Sequence, residues 1–398
     1  MKNENFLNKH AVILERIAAL QEQNAYFYMH KLNSPQDSTI VINGRKFINF
    51  SSNNYLGLAN DPRVKEAVQK ALAKYGMGTG ASRFLTGTSE LHEKLELKLA
   101  QFKRQEAAVV FSTGYMANLG VLSSMFSAGD TLVIDKKCHA SIIDGAVLSR
   151  AKIVTFSHND MLSLGEKLQS IKRQNGTTAI ITEGVFSMDG DIAPLDEIRK
   201  LADTHKASII VDEAHSTGVL GEHGSGIVEY FKCEARVDIG VGTLSKALGG
   251  LGGFIVCDKD IANCLKHTAR SFIFATSLPV PIVAGLIKAL EIIEADPALI
   301  ARLWKNIKMF KDGLREMKFD TLNSNSAIIP VFIGDEKLTH RIVRDLYDNG
   351  IIVNPVSFPA VEKNKSIIRI SSMATHSKEA LERALSVIGK IKEKVALN

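Results

Sequence analysis

Lys246 sits in the run Thr243-Leu-Ser-Lys246-Ala-Leu-Gly-Gly-Leu-Gly-Gly253, directly behind the strand-like segment Val237-Asp-Ile-Gly-Val-Gly242. A lysine amine traps a carbonyl when burial or a nearby cation keeps part of it neutral. Thr243 and Ser245 place hydroxyls beside it, and the glycines would let backbone approach a flat or phosphorylated ligand. Upstream stands Asp212-Glu-Ala-His215. An aspartate at a strand end can pair with a pyridinium nitrogen while a lysine holds the same cofactor through its aldehyde. At about 4 Å, opposite charges attract by roughly 4 kcal/mol at an effective dielectric near 20. That is enough to keep the ring nitrogen protonated and the ring an electron sink.

Other readings of Asp212-Glu-Ala-His215 have less support. In helicases this tetrapeptide follows a phosphate loop, and no Gly-x4-Gly-Lys-Ser/Thr occurs in the chain. A metal site would need further ligands at matched spacing, and none is evident, so no metal is expected. Asp212 taken alone could simply cap the next helix. His139, the first polar side chain after the strand Thr131–Ile134, could start a helix or lie flat over a ring. Arg369 could snorkel to solvent or grip a substrate carboxylate with its planar fork. Spacing does not decide between the two.

Short continuous apolar runs must position these residues: Thr131-Leu-Val-Ile, Ile153-Val-Thr-Phe, Ala179-Ile-Ile-Thr, Ser208-Ile-Ile-Val and Asp238-Ile-Gly-Val. Runs of this kind, alternating with helical segments, predict an α/β fold with a mostly parallel, doubly wound sheet. Ligands on such sheets lie beyond the carboxyl ends of the strands. That directs attention to Cys138-His139, Glu183 with Ser187, Asp212 with His215, and Thr243 with Lys246. The strand Ala107–Phe111 running into Ser112-Thr-Gly-Tyr-Met-Ala-Asn118 forms an anion cradle if a helix begins there.

Residues 7–24 carry Ile13, Ile17 and Leu20 at helical spacing, and Asn43-Gly44 predicts a two-residue hairpin turn. Helices are expected from Asp61-Pro62 and over Glu90–Phe102, with the glycine-rich loop Gly76–Ser82 between them. After Pro281 the pattern changes to long helices, the strands Ala327–Ile333, Ile351–Val353 and Ile367–Ile370, and a final helix. We expect an N-terminal helix and hairpin arm (1–55), a large ligand-binding domain (56–285) and a C-terminal α+β domain (286–398).

The 398 residues carry 49 Lys and Arg against 43 Asp and Glu, a net charge of +6 spread along the chain. No basic run suggests nucleic acid. Four cysteines (138, 233, 257 and 264) without Cys-x-x-Cys predict buried thiols in a reducing compartment. Met1–Phe6 lacks a signal-peptide segment, and no apolar run is long enough to span a membrane. The expected location is cytoplasmic.

Motifs spread through the chain resemble those of the α-oxoamine synthases, fold-type I enzymes dependent on pyridoxal 5'-phosphate. They are Asn53-Asn-Tyr-Leu-Gly, Ser82-Arg-Phe-Leu-Thr-Gly-Thr, Ser112-Thr-Gly-Tyr-Met-Ala-Asn, His139-Ala-Ser-Ile-Ile-Asp-Gly, Glu183-Gly-Val-Phe-Ser-Met-Asp-Gly-Asp, Asp212-Glu-Ala-His-Ser, Gly242-Thr-Leu-Ser-Lys and Ile367-Ile-Arg-Ile-Ser. The resemblance runs from about Tyr26 onward. It implies that Lys246 carries the cofactor and acts as base, that Asp212 pairs with the pyridine nitrogen, that His215 bonds the phenolic oxygen and that His139 stacks on the ring. Gly114, Tyr115, Ser187, Thr243 and Ser245 then contact cofactor or phosphate, and Asn53 and Arg369 contact substrate. The resemblance also implies a homodimer with shared sites, Thr276 and Ser277 lying near the neighbour's phosphate.

The implied reaction joins a small amino acid to an acyl-CoA with loss of CoA and CO2. Ser34-Pro-Gln-Asp37, Asn354-Pro-Val, Pro359-Ala-Val and Met373-Ala-Thr-His376 look most like bacterial serine palmitoyltransferases, giving L-serine and a long-chain acyl-CoA as the expected pair. One departure is Thr86-Gly87-Thr88, where those enzymes usually show Asn-Gly-Thr. Asn60-Asp61-Pro62 and Ser187–Pro194 look as much like 8-amino-7-oxononanoate synthase (alanine and pimeloyl thioester) or glycine C-acetyltransferase. Outside this group, an aminotransferase would share the lysine and aspartate but release no CoA. A catalytically silent partner subunit would carry no cofactor colour.

Overall fold

The computed structural model describes residues 8–22, 29–171, 176–233 and 237–395. Met1–Phe6 and Tyr26 lie outside them. The strands are β1 (Thr39–Ile42), β2 (Arg45–Asn49), β3 (Ala107–Phe111), β4 (Thr131–Asp135), β5 (Lys152–Phe156), β6 (Thr178–Glu183), β7 (Ser208–Asp212), β8 (Ile239–Thr243) and β9 (Gly253–Cys257). Four more follow: β10 (Ile328–Gly334), β11 (Ile351–Ile352), β12 (Asn354–Val356) and β13 (Ser366–Ser371).

Seven strands form the central sheet in the order β3-β9-β8-β7-β6-β4-β5. Neighbours from β5 across to β8 run parallel. Every residue of β4, β8 and β9 is buried, as the continuous apolar runs require. The edge strand β5 differs: Lys152, Ile153 and Thr155 are exposed, which is where a lysine on an open edge discourages further pairing. β9 is antiparallel to both β3 and β8, and it is the one strand of this sheet that the sequence reading did not name. Its apolar run Gly253-Phe-Ile-Val-Cys257 follows the glycine cluster directly, so the glycines drew attention toward a ligand and away from a strand start.

The hairpin forms as expected. Asn43 (φ 49°) and Gly44 (φ 76°) turn β1 into β2 in register, with Ile42 opposite Arg45. Two left-handed residues in sequence match the twist of the strands they join. β2 also pairs in parallel with β11, which ties residues 48–49 to 351–352. A second small sheet, β10-β13-β12, is antiparallel throughout. The helix Val280–Ala295 runs unbroken through residue 285.

Asp61 caps the helix Pro62–Tyr75 by accepting from the Arg63 amide, with proline in its first turn. The N-terminal segment is helical over Ala11–Glu22, none of it buried. No disulfide joins the four cysteines; Cys138, Cys233 and Cys257 are buried, whereas Cys264 is exposed on the helix Lys259–Thr268, contrary to expectation. Among the described residues no helix is long and apolar enough to cross a membrane.

Candidate active site

The carboxyl ends of β4, β6, β7 and β8 converge on a cavity of about 270 Å³. Its lining includes Gly114, Tyr115, Asn118, His139, Glu183, Asp212, His215, Thr243, Ser245 and Lys246. His139, Glu183, Asp212, His215, Thr243, Ser245 and Lys246 come from the ends of these strands or the turns just after them, while Gly114, Tyr115 and Asn118 come from the helix Gly114–Met125 that follows β3.

Lys246 Nζ lies 2.8 Å from His215 Nε2. Burial draws the lysine down to about 8, against the opposing pull of Asp212 and Glu183. Burial also drives His215 well below its ordinary value, and the neighbouring Lys246 and Arg369 press the same way. The imidazole is therefore neutral. On its other side, His215 Nδ1 stands 2.6 Å from the Tyr55 hydroxyl.

Asp212 is buried at the end of β7. Its Oδ2 accepts from the Asn118 amide at 2.7 Å and its Oδ1 from the Ala214 backbone N–H at 2.9 Å. No helix follows directly, so Asp212 caps none: its bond to Ala214 closes a local turn, and both carboxylate oxygens accept a hydrogen bond at the cavity wall. Glu183 lies beside it in register across β6 and β7. Burial pushes Glu183 well above the usual carboxylate range, and the neighbouring Asp212 adds to this. Its Oε1 accepts the His139 backbone N–H at 2.6 Å.

His139 starts the helix that follows it, Ala140–Ser149, its Nδ1 accepting from the Ser141 amide at 3.2 Å, and its side chain faces the cavity. Tyr115 meets it edge-on at 6.1 Å and donates to the Asp144 carboxylate. Gly114 opens the helix Gly114–Met125, so the unpaired amides of the first turn face the crevice. A Cβ on Gly114 would come within 3.2 Å of the Thr243 side chain. Thr243 donates to the Gly252 carbonyl at 3.1 Å and meets Ser245 Oγ at 2.8 Å.

The glycines after Lys246 mostly serve the chain itself. At Gly253 a Cβ would fall 2.4 Å from the Thr113 carbonyl, and at Gly249 (φ 70°) it would meet the Ala59 backbone at the same distance. Gly252 is the one of this cluster that lines the cavity.

Arg369, on β13, is buried rather than snorkelling. Its Nε donates to the Ser187 carbonyl at 2.6 Å, one Nη to Ser371 Oγ at 3.0 Å and the other to Asn53 Oδ1 at 3.1 Å. The fork is thereby held in one plane with neutral partners. Asn53, Arg369 and Ser187 stand together outside the 270 Å³ cavity and connect to it through Tyr55. Thr276 and Ser277 lie apart from the Lys246 cavity in a single chain. Thr276 O accepts from Ser112 Oγ at 2.7 Å, and Ser277 N–H donates to Ala81 O at 3.0 Å. Ser277 Oγ is buried without a hydrogen-bond partner.

Sequence reasoning did not single out Tyr55 and Asn118 in the site, nor Glu213, which braces it from behind. Asn118 had a signal: it follows Gly114 by one helical turn and so shares its face. Glu213 forms a buried ion pair with Lys103 at 2.8 Å, its Oε2 accepting the Ile227 amide at 2.9 Å. Nearby, His158 bridges Asp135 (3.0 Å) and Asp191 (2.9 Å). Burial alone would lower this histidine, but the two carboxylates outweigh it and bring it to about 9. Asp189, which sits close enough to share an ion with His158 and Asp191, pairs instead with Lys137 at 2.5 Å. Together these contacts brace the turn that carries Ser187.

The chain matches the class I and II aminotransferase family over residues 45–388. It is 44% identical to an 8-amino-7-oxononanoate synthase of Thermoanaerobacter pseudethanolicus, covering 95% of this chain and 96% of that protein. It is 43% identical to a serine palmitoyltransferase of Sphingobacterium spiritivorum, covering 93% and 92%. Further relatives at 42–44% identity are also 8-amino-7-oxononanoate synthases. Among solved structures, a serine palmitoyltransferase from S. paucimobilis with pyridoxal phosphate and myriocin bound is 33% identical, with a TM-score of 0.94 over 98% of this chain and 99% of that one.

Proposed function

We propose, from the premise that this chain belongs to the class I and II aminotransferase family and within it to the α-oxoamine synthases, that it makes 8-amino-7-oxononanoate from L-alanine and a pimeloyl thioester. The sequence alone leaned toward serine and a long-chain acyl group. The balance of relatives supports the other pairing, because most of those at 42–44% identity carry the oxononanoate synthase name. The observation that carries the general chemistry is the buried Lys246 amine, drawn to about 8 and set 2.8 Å from a neutral imidazole.

Pyridoxal 5'-phosphate fits the residues present. The cavity offers an amine for its aldehyde, a fixed carboxylate for its ring nitrogen, a neutral imidazole for its phenol and a helix start for its phosphate. When bound, it supplies an electron sink for charge at the amino-acid Cα. The chain's own residues do the rest. Asp212, braced by Asn118, would pair with the ring nitrogen. His215 would bond the phenol, and His139 would pack against the ring. Lys246 takes up the Cα proton and returns one later, a task suited to an amine whose pKa lies near working pH. Arg369, with Asn53, holds the substrate carboxylate in a bidentate grip. We take a homodimer as the working unit.

A second reading, serine with palmitoyl-CoA, has the Sphingobacterium relative and the 0.94 TM-score behind it. The deciding experiment pairs alanine, serine and glycine with pimeloyl-, palmitoyl- and acetyl-CoA and follows CoA release. Fastest turnover with alanine and pimeloyl-CoA is expected. Preference for serine and palmitoyl-CoA moves the assignment to the second reading, and amino transfer without CoA release refutes both.

A further inference from the structure

The turn between β6 and the helix Leu195–His205 carries Ser187, whose carbonyl accepts Arg369 Nε–H at 2.6 Å. The turn is closed by a bridge between Val185 and Ile192, by Phe186 N–H donating to the Asp191 carbonyl at 3.1 Å and by Gly190 N–H donating to the Phe186 carbonyl at 2.9 Å. On one flank the Gly190 carbonyl accepts from the Asn325 amide at 3.0 Å and from Ser326 Oγ at 2.8 Å. None of these groups lines the 270 Å³ cavity, so an occupied cavity leaves every one of these contacts in place.

On the other flank the turn is tied to β4 through His158. Its Nε2 stands 2.9 Å from Asp191 Oδ2, and its Nδ1 stands 3.0 Å from Asp135 Oδ1 at the end of β4. An ionised carboxylate only accepts, and a neutral imidazole has a single N–H. Two such contacts therefore require hydrogen on both ring nitrogens. Burial lowers His158, but the two carboxylates prevail and bring it to about 9, so the ring is charged near neutral pH. The charged groups facing it are Asp135 and Asp191, with Asp189 close by and engaged by Lys137. The Phe186 ring meets His158 edge-on at 4.4 Å. Asn159 joins the same two aspartates again, its N–H donating to Asp135 Oδ2 at 2.9 Å and its Nδ2 to Asp191 Oδ2 at 2.8 Å. Removing the His158 ring should thus loosen the turn without detaching it.

We propose that His158 is a positioning residue for the amino-acid substrate: by holding Asp191 to Asp135 it fixes the turn whose Ser187 carbonyl orients the Arg369 guanidinium. Arg369 stands on β13, in a different sheet from β4 and β6, so its side chain has to be aligned with the cavity from the large-sheet side. The Ser187 carbonyl makes that contact. Ser371 Oγ and Asn53 Oδ1 engage one hydrogen on each terminal nitrogen. Three of the five guanidinium hydrogens are then used, which leaves one on each terminal nitrogen for a two-point grip on a carboxylate. A fork turned about its long axis presents only one of them. His158 itself touches neither substrate nor cofactor, and its effect is confined to molecules that carry the carboxylate. This role rests on the function proposed above in one respect, that Arg369 takes the substrate carboxylate.

The test titrates the holoenzyme with L-alanine and with alaninol, in which a neutral hydroxymethyl group replaces the carboxylate, and follows the absorbance of the bound cofactor. His158→Leu and Asp191→Ala should each weaken alanine about tenfold and leave alaninol within about twofold of wild type. Asp191→Asn keeps an acceptor for the ring and should bind alanine nearly as wild type does. Equal losses for alanine and alaninol, or undiminished alanine binding, overturn the proposal. So does an Asp191→Asn variant as weak as Asp191→Ala. Should His158→Leu fail to fold, the two Asp191 variants decide. Arg369→Lys separates this role from the reading beneath it. If that variant keeps the preference for alanine over alaninol, Arg369 does not hold the carboxylate, and the role of His158 falls with it. If it abolishes the preference while the His158 and Asp191 variants retain it, the grip of Arg369 stands and only the role of His158 fails.

Discussion

At the scale of single residues, the decisive quantity is how much of the Lys246 amine is neutral. Burial supplies the depression before any cofactor arrives, setting the group near 8. The neutral fraction then rises from roughly a tenth at pH 7 to roughly nine-tenths at pH 9. Because only the neutral amine attacks an aldehyde, the rate at which cofactor-free protein takes up pyridoxal phosphate should rise about tenfold over that interval and level off above it. Stopped-flow absorbance would show this, and a rate still climbing toward pH 10.5 would mean an unburied lysine. Lys246→Ala should take up no colour and lose turnover. Lys246, Asp212, His215 and His139 were legible in the sequence because each follows a buried strand, and strand ends are readable from apolar runs. Tyr55 was not, since its partner lies 160 residues away and only tertiary packing brings the two together.

At the scale of elements, the sequence showed which strands exist but not what holds the loops between them. The turn after β7 carries Asp212 and His215, and Glu213 between them points the other way, into the protein. There it meets Lys103, both side chains almost wholly buried, and it also anchors the Ile227 amide. Lys103 further reaches Thr217 at 3.2 Å and the Ser225 carbonyl. Removing one partner of such a pair strands a charge in the interior. Lys103→Met should therefore cost about 3–5 kcal/mol in urea unfolding. Adding Glu213→Gln should recover part of that loss, because the stranded charge is gone. Simple additivity of the two would show that they do not act together. Periodicity could not reveal this pair, since a lysine ending an amphipathic helix and a glutamate in a polar turn both read as solvent-facing. The glycine cluster misled for a related reason: spacing shows that backbone comes close to something, and here that something is the chain itself, backbone at Gly249 and Gly253 and leucine side chains at Gly250 and Gly252.

At the scale of the whole molecule, the surface bears on how the site is completed. Phe84, Leu85 and Phe274 are 53%, 76% and 75% exposed, and the Ser82–Thr276 bridge brings their two segments together. Large apolar side chains grouped in this way on an otherwise charged surface mark an interface more often than chance does. Thr276 and Ser277 belong to the same segment and do not reach the Lys246 cavity of their own chain, and Ser277 Oγ is left buried without a hydrogen-bond partner. Both features are accounted for if this segment faces the cavity of a second copy. The double variant Leu85→Asp, Phe274→Asp should then sediment as a monomer and hold pyridoxal phosphate at least tenfold more weakly, as a partner's phosphate contacts would be lost. Each chain would keep its own Lys246, Asp212 and His215, so the cofactor colour should return at high pyridoxal phosphate concentration. A monomeric variant with undiminished cofactor affinity would place Thr276 and Ser277 outside the site. A dimer that survives both aspartates would move the interface elsewhere on the surface.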